Sequence, residues 1–204
     1  MSIRDANATR RRLLEVGQQE IYLHGFQGAS LEGILNRAGV TKGAFFHHFS
    51  SKAQFGYAVV DEVIAEMIAA QWVHPLAEAS DPLATIATEF ERGAAALREQ
   101  RPILGCPLNN LAQEMSPLDE RFRRRTAAVF ERWRASYRDA FERAKSSGIV
   151  APALDCEDAA HALVAQIEGT LSLARNSQDP ATLDTGARSL RRALQSMRRL
   201  GGER

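Results

Sequence analysis

The chain has 204 residues, 45% of them hydrophobic, and a formal net charge of only +1. That composition supports a sizeable core in one domain or two small ones, and argues against a protein that coats nucleic acid along its whole surface. Two cysteines, Cys106 and Cys156, lack zinc or disulfide spacing, and neither a leader pattern nor a long apolar run appears; a reducing cytoplasm, no membrane span, no metal and no other cofactor are expected.

The charge is uneven. Residues 1–52 hold seven Arg or Lys against four Asp or Glu, whereas the remainder holds nineteen against twenty-one. Within the basic end, Arg10, Arg11 and Arg12 either reach phosphates or an adjacent groove, or simply solubilise a helix.

From Ser30 to Lys52 the chain reads SLEGILNRAGVTKGAFFHHFSSK. Ser30 is placed to cap a short helix whose Leu31, Ile34 and Leu35 recur at helical spacing, and Gly39 supplies the positive-φ step that ends it. Thr41 caps the next helix, which turns Ala44, Phe45 and His48 to one face and Lys42, Gly43, Phe46 and His47 largely to the other. Gly43 removes a side chain where a backbone and a phosphate must come close, Lys42 supplies a point charge, and His47 can donate to a phosphate oxygen. Ser51 and Gln54 fit a capping box that opens a further helix and aims the Lys52 ammonium at a phosphate. The pattern is that of a helix-turn-helix meeting DNA through its second helix.

These residues resemble the signature of the tetracycline-repressor (TetR) family of bacterial transcription regulators, carried here by Ala38-Gly39-Val40-Thr41-Lys42-Gly43-Ala44-Phe45-Phe46-His47-His48-Phe49 and Ser51-Lys52. The resemblance extends over Thr9 to Gly25, a first helix ending in the step Gly25-Phe26. It implies an all-α fold of about nine helices: a helix-turn-helix DNA-binding domain over 1–50 and a helical effector-binding and dimerisation domain over 51–204. It also implies a ligand- or redox-responsive regulator, most simply a repressor, that binds double-stranded operator DNA at an inverted repeat as a homodimer and is released by a small-molecule or electrophile inducer. The DNA-binding residues carried over are Ser30, Arg37, Thr41, Lys42, Gly43, Phe46, His47 and Lys52. Two positions depart from the family pattern. Phe46 stands where Tyr is usual and has no hydroxyl to donate, and Arg37 stands where an acidic or small residue is common, leaving open a backbone contact or plain exposure to solvent.

Beyond Ser51 a fourth helix is expected to run into Glu78 with Phe55, Val59, Val63, Ile64 and Met67 toward a core. A capping residue followed by Pro marks three further helix starts, at Asp81-Pro82, Ser116-Pro117 and Asp179-Pro180, and no convincing strand pattern intervenes. From Asp155 to Asn176 a stripe of Ala160, Leu163, Val164, Ile167, Leu171 and Ala174 is to be buried, with small Ala162, Ala165 and Gly169 beside it; the last helix repeats the theme with Leu183, Ala187, Leu190, Leu194 and Met197. In the resembled family the final two helices pair with their equivalents in a second subunit; packing within one chain is the plainer alternative.

Cys106 lies in a Gly-Cys segment similar to one in a TetR subgroup that includes electrophile-responsive regulators, although an inert buried thiol is the plainer reading. Trp133 and Tyr137, with Trp72, Phe90 and Phe141, are candidates to line an effector site; His161 and Glu168 are assigned no role. Two rival readings remain: an adaptor that keeps the helix-turn-helix as scaffold, and a thiol enzyme, which would need Cys106 to converge with His161 or His74. No phosphate loop, metal triad or carboxylate pair supports an enzyme.

Overall fold

The computed structural model describes residues 3–199, and among these it is all helical apart from one isolated antiparallel bridge between Val150 and Arg198. The expected domains' first and last few residues therefore lie outside the described range. Nine helices follow one another: α1 (Ile3–Gly28), α2 (Leu31–Ala38), α3 (Lys42–His48), α4 (52–77), α5 (Pro82–Arg98), α6 (Pro107–Met115), α7 (Glu120–Ser146), α8 (Cys156–Ser177) and α9 (Pro180–Ser196). Asp81 and Asp179 cap α5 and α9 as their sequence implies, each followed by Pro at the start of the helix.

Two expectations fail locally. Ser116-Pro117 opens a turn rather than a helix; α7 starts at Glu120, because the Asp119 carboxylate accepts from the backbone N–H groups of Arg121 and Phe122 at 2.7 and 3.3 Å. Met67 is 43% exposed rather than in the core. The cause is the wider winding of α4, which is π-helical over Val59–Ile64 and Ala69–Val73; each such segment rotates the following side chains away from the phase that 3.6 residues per turn would give.

The described residues form two compact units. The first comprises the chain up to Met67 together with Pro107–Val129, and the second Ile68–Cys106 together with the chain from Phe130 onward. In the first, α1 packs on α2, α3, α4 and α6, around Leu13, Ile34, Phe45, Phe55 and Phe122, all fully buried. Phe45, Phe49 and Phe55 make a triangle of ring contacts with centroids 5.0 to 5.4 Å apart.

In the second unit α9 lies against both α8 and α5. The stripe expected on α8 is buried, as are Leu183, Leu190 and Leu194 of α9. Gly186 makes that approach possible, since a Cβ there would stand 2.0 Å from Thr170 Cγ2. Gly186→Ala should therefore cost about 1–3 kcal/mol through overpacking. Thr170→Ala, which deletes the two nearest atoms, should restore most of that loss; a melting temperature for the double variant no higher than for Gly186→Ala alone would contradict the contact.

Candidate functional site

The expected caps form. Ser30 Oγ accepts from Gly33 N at 3.3 Å, Thr41 Oγ1 from Ala44 N at 3.2 Å and Ser51 Oγ from Gln54 N at 3.1 Å, while Gly39 closes α2 at φ 62°. These fixed ends set the angle at which α3 leaves the turn. Phe45 is fully buried and pins the helix by one face. Opposite it, Lys42, Gly43 and His47 are exposed, and Phe46 presents 46% of its surface. A Cβ added at Gly43 meets nothing within 4 Å, so the protein itself does not require glycine there.

The chain places two carried-over cations differently. Arg37 pairs with Glu20 of α1 and donates to Gln19 Oε1 at 2.9 Å, while its side chain stays partly exposed. Lys52 points inward: its Nζ donates to the Gln27 carbonyl at 3.3 Å and sits 4.9 Å from the centre of the Phe26 ring, and this burial lowers its pKa. Of the arginine run, Arg10 is paired with Glu62 and lies over Phe49, and Arg11 is paired with Glu15 at 3.0 Å. A cleft of about 500 Å³ behind α3 contains Arg10 and Arg125, but Glu62 and Asp61 already neutralise them, so it is no ready anion site. His48, half-buried at its edge, has its Nε2 without a partner and a pKa lowered by burial and then by His47 and Arg10.

A grip missed by sequence reasoning holds the entry to this motif. At Gly25 the backbone of α1 kinks (φ 76°, ψ 166°), which leaves the following amides outside regular helix bonding. The Glu114 carboxylate of α6 accepts from both Phe26 N and Gln27 N at 2.8 Å each. A Cβ at residue 25 would collide with Glu114 Oε2 at 2.8 Å, so glycine is needed both for the angle and for the approach. The Phe26 ring then packs edge-on against Phe122 at 4.7 Å, where Gly56 leaves room for both rings.

In the second unit, Trp133 and Tyr137 of α7 are completely buried; Trp133 stacks on Trp72 at 5.0 Å and meets Tyr137 edge-on at 6.1 Å. Cys106 is 5% exposed and lies by the carboxyl of Glu168, itself 8% exposed on α8. His161, seven residues earlier on α8, is exposed, so the two do not act together. The indole nitrogen of Trp133, the phenol oxygen of Tyr137 and both oxygens of Glu168 have no partner in hydrogen-bond geometry. Burial pushes the Glu168 carboxyl up to about 7, partly opposed by the thiol of Cys106; burial likewise raises the Tyr137 phenol, with Trp133 opposing and Glu89 and Glu168 adding to it. Cys156, the other thiol, is pushed up to about 11 by burial and Glu142, which makes it unreactive. Among the described residues no cluster of His, Cys, Asp or Glu could hold a metal, and no helix is long and apolar enough to cross a membrane.

Comparison with known proteins agrees with this geometry. Residues 13–57 match the family described as "Bacterial regulatory proteins, tetR family", and residues 82–189 match "Transcriptional regulator LmrA/YxaF-like, C-terminal domain". An uncharacterised HTH-type transcriptional regulator from the lacX 3' region of Lactococcus lactis subsp. lactis is 29% identical over 185 residues, covering 91% of this chain and 92% of that relative. The HTH-type transcriptional repressor DhaR of Mycobacterium sp. (strain GP1) is 27% identical over 175 residues, 86% of each chain. The crystal structure of a TetR transcriptional regulator from Chloroflexus aurantiacus J-10-FL superposes with a TM-score of 0.86 at 25% identity, covering 98% of this chain and 100% of that one.

Two measurements probe the geometry. Glu114→Ala strips the acceptor from two amides and should lower stability by about 2 kcal/mol, read as a fall in melting temperature. Glu168, with a folded value of about 7 against an ordinary 4.5, binds its proton more tightly folded than unfolded. Its contribution is thus neutral at low pH and turns unfavourable as pH rises from the unfolded value through the folded one. Relative to Glu168→Gln, the wild type should lose up to about 3 kcal/mol between about pH 4 and pH 8; a pH-independent difference in melting temperature would refute the shift.

Proposed function

The chain belongs to the tetR family of bacterial transcriptional regulators, and from that premise we propose a homodimeric, ligand-responsive repressor whose α3 enters the major groove of operator DNA. The family is one of transcription regulators, and a DNA partner supports a cytoplasmic location on this reading. The observation that carries the docking is the exposed face of α3: Lys42, Gly43, Phe46 and His47 lie outward on a helix whose other side is locked by Phe45. Gly43 leaves space that nothing in the chain uses, which suits close approach of a phosphate backbone. Lys42 supplies charge, His47 a donor, and Phe46 an apolar contact instead of a hydroxyl.

Ser30 and Thr41 serve that docking by fixing helix ends, and Arg37 and Lys52 by tying α2 and α4 to α1. Two copies are needed to read an inverted repeat. The surface that suits dimerisation is the outer face of α8, where exposed Ala162, Ala165 and Gly169 lead to Leu173, 63% exposed, with the arginine-rich face of α9 nearby in sequence. Cys106, Trp133 and Tyr137 belong on this reading to the effector site. The burial of Cys106 favours a noncovalent small molecule over an electrophile as inducer.

The test is fluorescence anisotropy of DNA from the gene's own upstream region. Lys42→Ala should weaken specific binding several-fold and flatten the log–log salt dependence by about one per subunit, because one phosphate charge is removed from each. A salt slope equal to that of the wild type would defeat the assigned docking. Treatment of the wild-type complex and of Cys106→Ser with a thiol-reactive electrophile separates the two inducer classes: release from wild type alone would restore the covalent one.

A further inference from the structure

Three side chains in the second unit carry buried polar atoms with no partner: Trp133 Nε1, Tyr137 Oη and both Glu168 oxygens. They are neighbours. Trp133 and Tyr137 stand one turn apart on α7 with ring centroids 6.1 Å apart, and Glu168 of α8, like Glu89 of α5, lies within electrostatic reach of the Tyr137 phenol. A bare hydroxyl or indole N–H in a core costs about 1–3 kcal/mol, and a carboxyl more. Native interiors leave few such groups unmatched, and here three fall within one unit.

Resting on the ligand-responsive reading above, we propose that Trp133, Tyr137 and Glu168 form the polar end of the effector site. The effector they fit is an uncharged small molecule whose head group bears both a hydrogen-bond acceptor and a donor, as a carboxamide does, on a compact apolar or aromatic body. The chemistry follows from the unmet valences. An indole N–H can only donate, and the phenol O–H donates alongside it, so the pair calls for one carbonyl oxygen; the Glu168 carboxyl calls for an N–H or O–H in return. A carboxamide answers all three at once. An ammonium would meet Glu168 but leave the indole N–H bare and bury an ion pair, and a carboxylate would set its charge against Glu168. The neighbouring rings, Trp72 stacked on Trp133 and Phe141 edge-on to Tyr137 at 6.1 Å, supply the apolar surface that the body of such a molecule would meet.

Trp72 and Trp133 are the two tryptophans of the chain, so intrinsic fluorescence of the intact protein reports directly on this site. Benzamide, benzylammonium and benzoate share a body and differ only in the head group. Titration should give a saturable change with benzamide and none at matched concentrations with the other two. Tyr137→Phe, which deletes one oxygen without changing shape, should weaken benzamide about tenfold while leaving the melting temperature unchanged or higher, as should Glu168→Leu. Tighter binding of benzylammonium, lost in Glu168→Leu, would overturn the uncharged class in favour of a cation. No saturable signal with any probe would overturn the proposal, as would wild-type affinity for benzamide in Tyr137→Phe. A lowered melting temperature of Tyr137→Phe without any probe response would mean that ordered water alone satisfies the cluster. Binding of upstream DNA by the same preparation is measured in parallel, so that failure of the ligand assignment and failure of the repressor reading are told apart.

Discussion

The contact between Glu114 and the backbone of Phe26 and Gln27 is the constraint on which the DNA-binding half depends. A helix that breaks and restarts leaves amides bare, and the usual remedy is a capping side chain from the adjacent sequence. Here the acceptor arrives from α6, with each oxygen taking one N–H. Lys52 completes the arrangement by holding the Gln27 carbonyl, and its ammonium is electrostatically supported by Glu114. With both ends of that dipeptide held and the Phe26 ring seated against Phe122, the path into Ser30 and α2 has little freedom left. The precision of α3 is thus inherited from residues that never face outward.

The second unit shows the opposite economy. Its aromatic column, Trp72 on Trp133 and then Tyr137 and Phe141, is packed as a stable core would be, yet polar atoms are left bare within it. Local departures from the rules of a well-satisfied interior are expected where function needs them, and the stability sacrificed must be recovered elsewhere. The apolar seam between α8 and α9, closed to contact distance at Gly186, is one place where it is recovered.

Much of this was legible in the sequence where the cause is local. Caps at Ser30, Thr41 and Ser51, the left-handed Gly39, the division of α3 into two faces, and the starts of α5 and α9 all follow from neighbours within a turn. What escaped depends on partners far along the chain or on a changed winding. Nothing near Lys52 announces Gln27, and nothing near Arg37 announces Glu20. Met67 departs from regular helical periodicity because a π-helical segment precedes it, and Pro117 opens no helix because Asp119 offers a better cap two residues on. Glu168 did leave a trace: it is a carboxyl set one turn after Val164 in a stripe that is otherwise apolar. A charged residue on a buried stripe is a stronger signal than buried aromatic residues are.

The first unit is discontinuous in sequence, because Pro107–Val129 returns to it after Ile68–Cys106 has gone to the second. During synthesis the chain emerges from its amino end, so the helix-turn-helix leaves the ribosome long before Glu114, Asp119 and Phe122 exist to hold it. Until residue 122 is free, Phe26 lacks its ring partner, Tyr57 lacks the Asp119 carboxylate that accepts its hydroxyl proton at 2.6 Å, and two amides lack the Glu114 carboxylate. The contacts that hold the entry to the recognition helix are thus the last of the first unit to be completed, after the chain has already supplied part of the second.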